Sequence, residues 1–88
     1  MPLIESIKGI KIHVYNGEHR PPHINAVYNE YEVLIEIENG KIYAGSLPSK
    51  RLKIVFDWLT ENTEWALEVF YQLNPELKWE RVLKYQEY

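Results

Sequence analysis

The 88-residue sequence contains no cysteine. This absence excludes disulfide bonds, thiolate metal sites and a cysteine nucleophile. The sequence also lacks a continuous apolar run of the roughly 18 residues that a membrane-spanning helix needs. Its first segment, MPLIESIKGIKIHVY, alternates apolar and polar residues and has neither the charged start nor the apolar run of a signal peptide. We therefore expect a soluble, cytoplasmic protein that makes no membrane contact.

Positive charge is scarce in the second part of the chain, and the formal net charge is −3. Residues 1–53 contain seven Lys and Arg against six Asp and Glu (+1), whereas residues 54–88 contain three against seven (−4). Extended nucleic-acid-binding surfaces are usually strongly basic. Nucleic acid is therefore not expected as a partner, apart from local contact of RNA or phosphate with the first part.

Periodicity and turn signals predict the sheet of a single domain spanning residues 1–88. Apolar and polar residues alternate over 10–15, which predicts a half-buried strand. The sequence YNEY predicts a tight hairpin that pairs Tyr28 with Tyr31, and ENGK predicts a second hairpin with a type I′ turn at Asn39-Gly40. Together these segments predict a meander.

After Gly45, apolar residues recur at steps of three and four, which predicts a helix. Ser46 is a suitable cap, Pro48 suits the first turn, and Asn74-Pro75 should end the helix. The polar run TENTE (60–64) leaves open a turn between two shorter helices. The tail after Pro75 is compatible with an extended or a helical conformation.

The predicted fold class is α+β. Two layers are expected, a curled antiparallel sheet of about four strands packed on one long C-terminal helix.

The predicted registers align a possible catalytic row on the polar face of the sheet. His23 lies opposite Glu36, and Glu36 lies opposite Tyr43. Because a carboxylate orients an imidazole and raises its basicity, this row suits acid–base chemistry near neutral pH. It predicts a small phosphodiesterase or ribonuclease with His23 as base, His19 as acid and Glu36 as the orienting group. The alternative is an ordinary solvated polar face, on which such pairs contribute a few tenths of a kcal/mol.

Three cationic residues are candidates for binding phosphate. Arg20 lies in the loop before His23, and Lys50 and Arg51 lie in the predicted first helical turn, where cations oppose the helix macrodipole. A bound phosphate would explain them, and so would simple exposure to solvent. We include Tyr43 with these binding candidates. Two firm ligands are too few for a closed zinc site, so no metal and no cofactor are predicted.

Aromatic residues on the helix indicate a contact surface. Trp58 and Trp65 are seven residues apart and lie close to one stripe, surrounded by acidic residues that would repel phosphate. A homodimer interface or another protein contact is therefore expected there rather than a platform for stacking bases.

The chain resembles the domain of unknown function 4160 family of bacteria. The family pattern has an MP-x-I start, an H-x-P-P-H-[FI]-H motif, a tight hairpin, an L-P helix start and a long helix containing Trp. Here these elements are MPLI, HRPPHIN, YNEY, SLP and FDWL, across roughly residues 1 to 75. His19, Pro21, Pro22 and His23 match the motif, whereas its final His is replaced by Asn25.

The resemblance implies no established activity. It implies a gene found near that of a second small domain, in pairs suspected to be toxin–antitoxin-like. An amide is a poor transition-metal ligand and not a base, so Asn25 weakens a metal or catalytic role for the motif in this chain. The sequence thus favours a non-enzymatic domain that binds a protein partner from a neighbouring gene, with the nuclease as the alternative. Whether the chain is an enzyme stays open.

Overall fold

The computed structural model describes residues 3–15 and 21–75, which form an antiparallel sheet followed by one helix. The elements are β1 Leu3–Ile7, β2 Ile10–His13, β3 His23–Tyr28, β4 Tyr31–Glu36, β5 Ile42–Gly45 and α1 Ser49–Leu73. The strand order is β1-β2-β3-β4-β5. The α+β prediction is confirmed, with five strands in place of about four. The tail predicted to be extended or helical lies outside the described residues.

The additional strand, β1, is joined to β2 by a two-residue turn. Lys8 and Gly9 have φ angles of 48° and 82°, so both have the positive φ of a type I′ turn. Ile7 pairs with Ile10 on either side of the turn. Because this turn type matches the twist of antiparallel strands, the sequence IKGI closes the first hairpin.

The hairpin of β3 and β4 has the predicted register. Tyr28 pairs with Tyr31, and the same register places His23 opposite Glu36. Asn29, the first turn residue, has a φ of 52°, which asparagine tolerates better than most residues.

The hairpin of β4 and β5 differs from its prediction. The Glu36 N–H donates to the Lys41 carbonyl at 2.8 Å, and the Gly40 N–H donates to the Glu36 carbonyl at 2.9 Å. The loop therefore spans residues 37–40, and of the pair Asn39-Gly40 only Gly40 has a positive φ, 69°. The predicted type I′ turn is wrong.

Burial of Ile37 accounts for the longer loop. Its side chain is 2% exposed, and its N–H donates to the Pro22 carbonyl at 2.9 Å. A two-residue turn would have kept Ile37 in the ladder opposite Ile42, whereas Ile42 pairs with Ile35. The tertiary contact of Ile37 thus overrides the local preference of Asn-Gly, and the ladder becomes irregular at Tyr43.

Helix α1 begins two residues later than a Ser46 cap would place it. Pro48 occupies the cap position, and its carbonyl accepts two N–H groups of the first turn at 2.9 Å. Ser46 instead donates its N–H to the Glu32 carbonyl at 3.0 Å. The predicted capping role of Ser46 is therefore wrong, whereas the predicted helix end before Asn74 is confirmed.

The polar run 60–64 forms a kink within α1 rather than a break between two helices. Asn62 has non-helical angles, φ −126° and ψ 21°. The side chains of Thr60, Asn62 and Thr63 each donate to the carbonyl four residues earlier, at 2.9, 2.8 and 2.8 Å. Because such side-chain bonds compete with the backbone ladder, they bend helices.

The core lies between the helix and one face of the sheet, with strand residues at alternating positions. Its buried apolar members are Ile10, Ile12, Val14, Ile24, Ala26, Val33, Ile35, Ile37, Leu47, Val55, Trp58, Leu59, Ala66 and Phe70.

Candidate functional site

His23, the proposed base, is buried. Its side chain is 2% exposed, and its ring centroid lies 5.8 Å from that of Phe70 at an interplanar angle of 56°. Its Nδ1 lies 2.9 Å from the Pro21 carbonyl oxygen, which accepts the proton of the Nδ1–H tautomer. The polar row was expected to be exposed to solvent, and at His23 that expectation is wrong.

The two prolines of the motif act through their carbonyl groups. Pro21 accepts from the His23 ring, and Pro22 accepts the backbone N–H of Ile37. A proline has no N–H to satisfy but keeps a full acceptor. The Pro-Pro-His sequence therefore attaches the start of β3 to the loop between β4 and β5.

The predicted row is only partly assembled. Glu36 is directly opposite His23 in the ladder, but within the described segments no hydrogen bond or ion pair connects their side chains. Glu36 does not pair with Tyr43, because its backbone bonds to Lys41. Tyr43 is 46% exposed on the edge strand. His19, the proposed acid, lies outside the described residues, so the catalytic roles stay predictions.

Of the candidate phosphate ligands, Arg51 lies at the opposite end of β3 from His23. The Nη2 of Arg51 donates to the hydroxyl of Tyr28 at 3.2 Å, and its Cζ lies 4.6 Å from the centre of the Tyr28 ring. This cation–π contact fixes the guanidinium against the end of β3. Lys50 is exposed in the first helical turn, and Arg20 lies outside the described residues.

A second polar cluster lies where β2, β3 and β4 are adjacent. His13 pairs with Asn25 in the ladder, and the Asn25 Nδ2 donates to the Glu32 carboxylate at 3.0 Å. The Nδ1 of His13 and the Oδ1 of Asn25 are both buried, and neither has a hydrogen-bond partner among the described residues. The ring of Tyr15 stacks on His13 at 6.0 Å. Alternation in the sequence places His13 and Asn25 on the polar face, but it does not reveal their burial.

Burial raises the pKa of Tyr15 above its ordinary value, and the negative charge of Glu32 raises it further. Both effects favour the neutral phenol, so Tyr15 is not prepared to ionise near neutral pH. Residues 3–15 and 21–75 contain no group of three or more His, Asp or Glu side chains that could hold a metal.

The Trp pair of the helix is divided between core and surface. Trp58 is 6% exposed, and its indole N–H donates to Glu5 at 3.4 Å. Trp65 is 43% exposed and contacts Trp58 edge-on, with centroids 6.2 Å apart. Trp58 is therefore a core residue. Of the two tryptophans predicted to form a contact surface, Trp65 alone is exposed enough to do so.

Apolar side chains are also exposed at the β5 edge of the sheet. All four residues of β5 are exposed, with Ile42 at 41% and Tyr43 at 46%. Tyr31 on the neighbouring strand is 40% exposed. In the described part of the chain, no helix is both long and apolar enough to cross a membrane.

A family model for a domain of unknown function, DUF4160, matches residues 9–70. That range contains β2 to β5 and most of α1, including His23, the prolines before it and the kink at Asn62. Searches of curated proteins and of solved structures give no significant match. Because the family model covers more than half of the sequence, the chain belongs to the DUF4160 family.

Proposed function

We propose that this chain is a protein-interaction domain and forms one component of a two-gene, toxin–antitoxin-like module. The observation that supports the proposal is that most of the exposed large apolar side chains lie on the last two strands of the sheet. Of the five large apolar side chains that are exposed in the described residues, Tyr31, Ile42 and Tyr43 lie on β4 and β5. Aromatic and apolar residues concentrated at one edge are typical of contact surfaces, whereas isolated ones are common everywhere.

The arrangement of the His motif agrees with this proposal. A general base must bring its free nitrogen within hydrogen-bond reach of a substrate. His23 is almost fully buried, with one ring nitrogen at the Pro21 carbonyl and its ring against Phe70. Such contacts stabilise the fold, and the adjacent bond from the Ile37 N–H to the Pro22 carbonyl positions the loop between β4 and β5, which leads directly into the exposed edge strand.

Co-expression with the protein encoded by the adjacent gene tests the proposal. We expect the two proteins to elute together from a sizing column at micromolar concentration, with a mass that corresponds to one complex. Light scattering on the chain alone provides the control, because it identifies a homodimer, the other assembly that Trp65 would permit. Separate elution of both proteins at that concentration would contradict the proposal.

A further inference from the structure

The open side of β5 has backbone groups available for a further strand. In residues 3–15 and 21–75, β5 has a strand neighbour on only one side, β4. The Lys41 carbonyl and the Ser46 N–H both point toward β4, where they bond to Glu36 and Glu32. Since inward and outward backbone groups alternate along an antiparallel strand, the N–H and carbonyl of Ile42 point away from β4. Ile42 therefore presents one donor and one acceptor at the edge.

The side chains of β5 do not protect this edge. Proteins commonly block edge strands with lysine, proline or inward-pointing charges. The strand Ile-Tyr-Ala-Gly contains none of these, and the residues are exposed. The irregularity at Tyr43 and the short length limit pairing to a few residues. The edge is therefore suited to a short segment, with Ile42 and Tyr43 as apolar contacts.

Strand β4, the neighbour of β5, and the turns on either side of it carry mostly negative charge. Strand β4 and its two flanking turns contain Glu30, Glu32, Glu36 and Glu38, against one cation, Lys41. A lysine- or arginine-rich segment is favoured here, because complementary charges increase association rates and exclude wrong partners. A second copy of the chain would add the same four glutamates on its own β4, about 14 Å away across the paired β5 strands, and this excess of like charge disfavours symmetric β5–β5 pairing.

We infer that the partner adds a short, basic, extended segment to β5 as a sixth strand. The inference rests on the proposed function and goes further, because it assigns the edge, the conformation and the charge of the bound segment. Main-chain hydrogen bonds supply affinity in this mode, and the side chains at alternate positions supply specificity.

A synthetic peptide of alternating lysine and valine provides the probe. Amide NMR shifts of the isotope-labelled chain should move on β5 and β4 when the peptide is added, and the affinity should fall with added salt. A glutamate–valine peptide of the same length should bind at least about tenfold more weakly. Shifts confined to β1 or the helix, or equal binding of both peptides, would overturn the inference.

Two matched variants locate the contact. Ile42→Lys adds a charge to the β5 edge and should weaken binding of the lysine–valine peptide by about tenfold or more. Leu3→Lys makes the same change at the opposite edge, where Leu3 is 50% exposed, and should leave binding unchanged. Equal effects of the two changes would also overturn the inference. A complex with the adjacent gene product that forms despite Ile42→Lys would refute the β5 assignment and leave the proposed function intact.

Discussion

Gly45 provides the most direct test of how β5 is attached to β4. Its φ is 78°, a conformation that residues with a side chain rarely adopt. A Cβ added there would overlap the carbonyl oxygen of Glu32 and would lie 3.2 Å from the Cα of Val33. Both atoms belong to backbone, so a rotamer change cannot relieve the overlap. In Gly45→Ala, β5 must move away from β4.

The magnitude follows from two costs. The left-handed conformation costs a residue with a Cβ about 1–2 kcal/mol. Displacing the backbone weakens the 3.0 Å hydrogen bond from Ser46 to Glu32, which contributes a further ~0.5–1.5 kcal/mol. Gly45→Ala should therefore lower the free energy of unfolding by about 1.5–3.5 kcal/mol, a large share of the stability of a small domain.

Gly40→Ala is the matched control. Gly40 has a similar φ, 69°, but the nearest atom to an added Cβ is a side-chain atom of Phe56 at 4.0 Å. Gly40→Ala should therefore lower the free energy of unfolding by only the conformational cost of about 1–2 kcal/mol. Urea denaturation of both variants measures the difference. Equal losses of stability would refute the close approach of β5 to β4.

Three further predictions concern the polar contacts. Because the pKa of Tyr15 is raised above its ordinary value of 10.0, the folded state favours the neutral phenol, so stability should fall as pH rises above 10.0. Tyr15→Phe should remove the contribution of Tyr15 to this loss of stability above pH 10.0. Glu32→Gln should return the Tyr15 pKa only part of the way to its ordinary value, because burial is the larger cause of the shift. An unchanged dependence of stability on pH in Tyr15→Phe would contradict the assignment to Tyr15. Asn74→Ala should lower the free energy of unfolding, measured by denaturant titration, by about 1–3 kcal/mol, because it removes a buried donor 3.0 Å from the Tyr15 carbonyl oxygen. A loss of stability smaller than the experimental error would contradict that role of Asn74. Arg51→Met should lower the free energy of unfolding by roughly 0.5–1 kcal/mol through loss of the cation–π contact with Tyr28. Lys50→Met, the change at the exposed neighbour, should leave stability the same or slightly higher, because it removes a cation that opposes the helix macrodipole. Equal losses of stability in the two variants would contradict the role of the Arg51–Tyr28 contact.

The parts of the fold that depend on local chemistry were predictable. The pairing of Tyr28 with Tyr31 follows from a two-residue turn, and it also places His23 opposite Glu36. The sequence IKGI contains a turn signal of the same kind at Lys8-Gly9, so the hairpin of β1 and β2 is also predictable from local chemistry. The β4–β5 register was wrong because burial of Ile37, a tertiary effect, outweighs the turn preference of Asn-Gly.

The candidate site was less predictable for the same reason. Alternation assigns His23 to the polar face, but it cannot show that the ring lies against Phe70 from the distant end of the helix. Nor can it show that Arg51 is held by Tyr28. The exposure of β5 follows from its position at the edge of the sheet. Which strand lies at the edge depends on the whole fold, so this exposure cannot be read from the sequence of β5 alone.

Hydrogen exchange at the Ile42 amide tests the central claim most directly. The measurement compares the chain alone with the chain in complex with the adjacent gene product. If a partner strand pairs with β5, the outward-pointing Ile42 N–H becomes hydrogen-bonded and its exchange should slow markedly in the complex. Unchanged exchange at Ile42, with protection around Trp65 instead, would contradict an interaction through the β5 edge.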